Sequence, residues 1–92
     1  MRHERAVEIG QQAVGWLLAR PERLVELVSA SGVSPDALPR LVEDPDFLGF
    51  ALDFVLASDA GVLEFAGHAG LRPEEPGLAR ATLAGPAAAD WA

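Results

Sequence analysis

The side chains of this chain that could take part in acid–base or metal chemistry are two histidines and fourteen acidic residues. His68 follows Glu64 by four residues, which places both on one face of a helix, where a carboxylate–imidazole pair can act as a general base. No nucleophile or second acid accompanies them, so we interpret them as a solvated pair on a helix surface. His3 lies at the N-terminal end and belongs to no pattern.

Clustered carboxylates can hold Mg²⁺ or Ca²⁺, and Asp44, Asp46 and Asp53 lie close together in the sequence. Asp44 and Asp46 flank a proline, however, and helix capping explains both. No loop has the spacing of an EF-hand calcium loop, and the chain has no cysteine. The sequence therefore predicts no metal site and no cofactor.

Two residues remain as candidate partner contacts, Asp53 and Trp91. Asp53 lies inside the most apolar segment, where a charge needs a partner or access to water. It is interpreted either as part of a solvent-facing stripe or an Arg pair, or as a polar contact at an interface. Trp91, near the end of an Ala-rich stretch, is an aromatic of the kind enriched at interfaces, or else it folds back on the core.

The segment from Asp44 to Ser58, which contains Asp53, is the most apolar part of the chain. Asp44 fits an N-cap and Pro45 the first helical position. Large apolar residues then fill almost every position, interrupted by one narrow stripe: Asp46, Gly49, Asp53 and Ala57. A helix that is apolar nearly all round is a buried helix, so we expect the other segments to surround it.

The remaining segments are predicted as helices bounded by Pro, Gly and Ser: His3–Ala19, Pro21 to Gly32, a short one from Ser34, Ser58 to Gly70 and Arg72 to Gly85. Pro39 reduces the short helix to a single loose turn, and Pro76 weakens the start of the last. The predicted fold is all-α, a compact bundle of five to six short helices. Residues 1–84 form one domain, and Gly85-Pro86 ends the last helix before a loose tail, residues 85–92.

An internal repeat is also predicted, because shifting the chain by 38 residues lays Ala13–Pro35 on Ala51–Pro73. Six of the 23 aligned positions are identical, against about two expected by chance from this composition. Trp16 falls on Phe54, so these aromatics would occupy equivalent core positions in two pseudo-symmetric three-helix halves. The long helices at residues 3–19 and 45–57 would then lie in the middle of the bundle. The alternative is that any six-helix chain of this length has helix-ending Gly and Pro residues at similar intervals.

Two stretches carry a family resemblance, AVGWLLARPERLVELVSASGVSPDAL and DPDFLGFALDFVLASDAGVLEFAGHAGLRPEE. They resemble the DUF3572 family, small proteins of unknown function found mainly in alphaproteobacteria, over roughly residues 6–84. Family members tend to carry an acidic residue before the first proline, where this chain has Arg20. The resemblance implies a small bacterial protein and brings no activity, cofactor or catalytic residue.

The composition limits the partners, because the formal net charge is −7 and every basic residue is Arg. An acidic chain repels phosphate backbones and anionic lipid, so nucleic acid is not expected as a direct partner, and neither is a membrane. The N-terminus leads into an amphipathic pattern and not into a secretory signal, so we expect a cytoplasmic protein.

These observations favour a small acidic helical module that binds or regulates a protein partner. A second hypothesis is an acidic inhibitor or antitoxin-like protein that masks a basic nucleic-acid-binding surface, and a third is a structural homodimer. An enzyme is not predicted, since no serine lies in G-x-S-x-G and no glycine pattern forms a phosphate-binding loop.

Overall fold

The computed structural model describes residues 1–89, with side chains through residue 84, and this part of the chain contains helices and no strand. A short 3₁₀ turn, Pro35–Ala37, precedes the third of the α-helices. In chain order the helices are α1 (His3–Leu18), α2 (Pro21–Ser31), α3 (Leu38–Leu41), α4 (Pro45–Leu56), α5 (Asp59–Ala69) and α6 (Glu75–Ala89). The prediction of an all-α bundle of short helices is confirmed.

Short polar side chains and glycines set the helix borders. The Asp44 carboxylate accepts a hydrogen bond from the Asp46 N–H at 3.0 Å and so caps α4, and the Ser58 hydroxyl accepts one from the Gly61 N–H at 3.0 Å and caps α5. Gly32 and Gly70 end α2 and α5 in the left-handed conformation, each with φ of 70°. These borders follow directly from the capping residues in the sequence.

The core lies between α1, α4 and α6, which pack against one another along their lengths. Helices α1 and α4 approach each other closely at Gly10, where a Cβ would lie only 2.8 Å from the Leu48 Cβ. Large side chains from several helices fill the centre, and the following are almost completely buried: Ile9, Trp16, Leu17, Leu27, Leu48, Leu52 and Phe65. The radius of gyration, 12.4 Å, is close to the value of about 12 Å expected for one compact domain of this length.

Helix α6 differs from the prediction at its end. Gly85-Pro86 is predicted to end the last helix, whereas α6 continues to Ala89. That proline lies close to the end of the helix, so the backbone bond it lacks affects only the last turn. Pro76 does not weaken the start either, because it occupies the second position, where a helix does not use the backbone N–H. The looseness of residues 85–92 remains a prediction.

The internal repeat is not confirmed. The borders agree, since a shift of 38 residues carries α2 onto α5 and the end of α1 onto the end of α4. The environments do not agree: Trp16 is buried, whereas Phe54 is only half-buried against the edge of the core. The third helices also differ, because α3 is one turn, as Pro39 predicts, while α6 is a full core helix. The expectation of equivalent core aromatics is therefore wrong.

Candidate functional site

Asp53 lies on the outer face of α4 and forms an ion pair with Arg80 of α6. Arg80 Nε donates a hydrogen bond to Asp53 Oδ1 at 2.8 Å, and Nη2 donates to Oδ2 at 3.3 Å. The two side chains are 50% and 37% exposed, respectively, so water screens the pair, and we expect it to contribute about 0.5–1 kcal/mol. The interpretation of Asp53 as half of an Arg pair is confirmed, and its role at an interface remains a prediction.

Gly49 makes room for this ion pair. It lies one helical turn before Asp53, and a Cβ at this position would lie 2.9 Å from Arg80 Nη1. The guanidinium therefore lies across the surface of α4 and buries the glycine. Within the sequence stripe that contains Gly49 and Asp53, α6 therefore covers Gly49, while Asp53 stays exposed beside it. We call Gly49, Asp53 and Arg80 the α4–α6 clasp.

The pair formed by Glu64 and His68 does not assemble into an acid–base site. Both residues are exposed on α5, and no hydrogen bond joins them. This arrangement matches the interpretation as solvated side chains. His68 instead borders a concave region of the surface that was not predicted from the sequence.

This concave region is a groove between α1 and the C-terminal end of α5, with a volume of about 250 Å³. Its walls are made by five residues from the two helices: Gln12, Gly15, Trp16, His68 and Ala69. The groove is open beside Gly15, because a Cβ at this position would meet no other atom within 4 Å. We refer to this feature as the α1–α5 groove.

Trp16 is the buried wall of the groove and is held by two aromatic contacts. Its ring meets the Phe65 ring edge to face, with 5.8 Å between the centroids. The guanidinium carbon of Arg20 lies 4.0 Å from the Trp16 ring centroid, and Arg20 Nη1 donates a hydrogen bond to the Trp16 carbonyl at 3.0 Å. Arg20, which stands where family members tend to carry an acidic residue, therefore holds the Trp16 side chain in place.

The indole N–H of Trp16 is a buried donor without a hydrogen-bond acceptor in the described part of the chain. Trp16 is only 2% exposed, and buried tryptophans usually pair this group. The sequence holds one clue to this site, because Gln12, Gly15 and Trp16 share one face of α1 through their spacing. That clue could not show that α5 supplies the opposite wall.

The other candidate contact, Trp91, lies outside the described residues. Among the residues that the structure describes, no three His, Cys, Asp or Glu side chains come together as a possible metal-ligand set. None of the helices described is both long enough and apolar enough to cross a membrane.

The sequence profile of one family, described as "Protein of unknown function (DUF3572)", matches residues 3–86. This match covers nearly the whole chain and confirms the resemblance carried by residues 6–84. Comparison with curated proteins and with solved structures gives no match.

Proposed function

The chain belongs to the DUF3572 family, whose function is unknown, and we propose that this member is a small acidic helical module that binds a protein partner. The observation that carries this proposal is the outer face of α2. Only Leu27 of α2 is fully buried, and the helix packs chiefly against α1. Its opposite face is free to meet another molecule.

Val25 is the centre of this face. It is 64% exposed, the highest value among the large apolar side chains described. Glu22 lies one helical turn before it, and Glu26 is the next residue along the helix. Neither carboxylate forms an ion pair within the described residues. An apolar side chain between two carboxylates complements a partner with a small apolar pocket rimmed by Lys or Arg.

The equivalent face of α5 offers a matched control. Leu63 is 59% exposed and Glu64 follows it, so a similar apolar–acidic pair projects from α5. The position that corresponds to Glu22 is Ala60, which carries no charge. Asp59 gives the α5 face a second carboxylate, one turn before Leu63, so the two faces are similarly acidic. The apolar side chain on α2 is the more exposed of the two, and we place the partner there.

The test is a pull-down from an extract of the source organism with three baits: the full chain, the Val25→Ser/Glu26→Gln variant and the Leu63→Ser/Glu64→Gln variant. We expect one protein to be retained by the full chain and by the α5 variant at moderate and high salt. The α2 variant should lose it, because that variant removes the apolar contact and one carboxylate together. Circular dichroism should show equal helix content for all three baits.

Other outcomes contradict the proposal in distinguishable ways. A partner retained equally by all three baits would place its contact away from α2. Binding of a nucleic-acid-binding protein that disappears at high salt would favour the acidic inhibitor. Recovery of the bait alone, with a doubled mass by light scattering, would favour a homodimer.

A further inference from the structure

The α1–α5 groove differs in charge from the rest of the surface. The chain carries fourteen acidic residues, yet none of those in the described part of the chain lines the groove. A positive charge contacts one of its walls, since the Arg20 guanidinium stacks on the Trp16 ring. A cation at this distance strengthens the indole N–H as a hydrogen-bond donor and favours a negatively charged acceptor.

Trp16, which forms one wall of the groove, also carries a donor that lacks an acceptor. Burial without a hydrogen bond is unfavourable for an indole N–H, and an oxygen that reached Trp16 Nε1 would remove this penalty. Gln12 and His68 can add hydrogen bonds from the rim, because both are exposed and neither makes a side-chain hydrogen bond within the described residues.

From these features we propose that the α1–α5 groove binds a small organic carboxylate, one oxygen of which accepts the hydrogen bond from Trp16 Nε1. The carboxylate accepts a second bond from Gln12 or His68. Nε1 is itself buried, so the ligand reaches it only when the side chains around Trp16 shift.

The volume of the groove restricts the size of the ligand. Pockets for drug-sized molecules span roughly 300–1,000 Å³, and this groove, at about 250 Å³, is smaller. It accommodates a carboxylate on a short aliphatic chain or a single ring. The same group can come from a free organic acid or from the C-terminal residue of a peptide.

The site is independent of the protein-binding face proposed on α2. It is formed by α1 and α5, and none of its wall residues belongs to α2. The two proposals can therefore fail separately, and each is tested with its own variants.

The indole N–H resonance of Trp16 reports directly on the proposed bond. The chain has two tryptophans, so a Trp91→Phe background leaves one indole signal in a ¹H–¹⁵N correlation spectrum. We expect sodium benzoate to move this signal downfield and to saturate, while sodium chloride at equal ionic strength does not. Benzamide, which has the same shape without the charge, should bind at least about tenfold more weakly.

A second titration distinguishes the sources of the carboxylate. An N-acetylated tripeptide that ends in Phe is compared with the same peptide as its C-terminal amide. Saturable binding of benzoate alone indicates a free acid, and binding of the free-carboxylate peptide alone indicates a peptide end. If neither carboxylate moves the Trp16 signal, or if benzamide binds as well as benzoate, the proposal is wrong.

Two glycines provide matched variants for this test. Gly15→Leu projects a side chain into the groove, whereas Gly67→Leu adds the same side chain to α5 at a position that does not line it. A Cβ meets no other atom within 4 Å at either glycine, so both variants should fold. We expect Gly15→Leu to weaken benzoate binding at least about tenfold and Gly67→Leu to leave it unchanged. Equal binding by both variants would exclude the groove, and Gly15→Ala provides a smaller substitution at the same position.

Discussion

Two helix faces with the same spacing of residues differ in this molecule, because one borders an open groove and the other is covered by a side chain from another helix. A shift of 38 residues carries one face of α1 onto one face of α4, and the positions that correspond are Gln12, Gly15 and Trp16 with Phe50, Asp53 and Phe54. On α1 this face is the open wall of the α1–α5 groove. On α4 it is closed, because Arg80 from α6 pairs with Asp53 and lies over Gly49.

The difference shows that the residue supplied by another helix decides whether such a face is open. Phe50 and Phe54 stack edge to face, with 5.3 Å between their centroids, and so fill their own side of α4. Trp16 instead turns into the core and meets Phe65, which leaves Gly15 beside open space. The closed face contributes stability, and the open face is available for binding.

The largest expected effect lies at the crossing of α1 and α4, on which both faces depend. Gly10→Ala places a Cβ against the Leu48 Cβ at 2.8 Å, so the helices must separate. Overpacking outweighs the better helix propensity of alanine, and we expect a loss of about 1–2 kcal/mol in the free energy of unfolding. Urea unfolding followed by circular dichroism measures this change. Unchanged stability would show that the two helices do not cross this closely.

The next effect compares the glycines of the two faces directly. Gly15→Ala meets open space and should raise the free energy of unfolding by about 0.5–1 kcal/mol through helix propensity. Gly49→Ala has the same intrinsic gain, but its Cβ pushes against the Arg80 guanidinium and so weakens the clasp. We therefore expect Gly49→Ala to be less stable than Gly15→Ala by about 1 kcal/mol.

The interaction of Gly49 with the ion pair can be separated from helix propensity by a double-mutant cycle. If Gly49→Ala acts by displacing Arg80, its effect should become more favourable in an Asp53→Asn background, where no ion pair remains to be lost. Equal effects of Gly49→Ala in both backgrounds would mean that Arg80 moves without losing Asp53.

A smaller effect is expected from the ion pair alone. Asp53→Asn removes the charge and keeps the shape, so it should lower the free energy of unfolding by about 0.5–1 kcal/mol at low salt. Because both side chains are partly exposed, most of this difference should disappear at 1 M sodium chloride. A loss that is independent of salt would indicate that Asp53 acts through packing.

The sequence predicts the fold well where local chemistry decides the structure. Asp44, Ser58, Gly32 and Gly70 set helix borders through their own backbone and side-chain preferences, which are readable without knowing the tertiary structure. The end of α6 is different, because a proline near a helix terminus does not have to stop the helix. Its full role in the core was also not predicted, since the burial of small residues such as Ala79 depends on what packs against them.

The candidate sites are less predictable because they depend on contacts between distant helices. Asp53 was identified from its charge in an apolar segment, but its partner, Arg80, is one of seven arginines and only the packing of α6 selects it. The α1–α5 groove was missed for the same reason. A glycine and a tryptophan on one helix indicate no cavity until a second helix supplies the opposite wall.

The smallest effect tests whether the first half of the chain has its own counterpart of the α4–α6 clasp. The position that corresponds to Gly49 is Gln11, and Gln11 Nε2 donates a hydrogen bond at 3.0 Å to the carbonyl of Val42, the position that corresponds to Arg80. Gln11→Ala should therefore lower the free energy of unfolding by about 0.5 kcal/mol relative to Gln12→Ala. Gln12 is a matched control, because it is an exposed neighbour on the same helix without a side-chain hydrogen bond in the described residues. Equal stabilities, measured by urea unfolding, would mean that this hydrogen bond does not stabilise the first half of the chain. The α4–α6 clasp would then have no counterpart on α1.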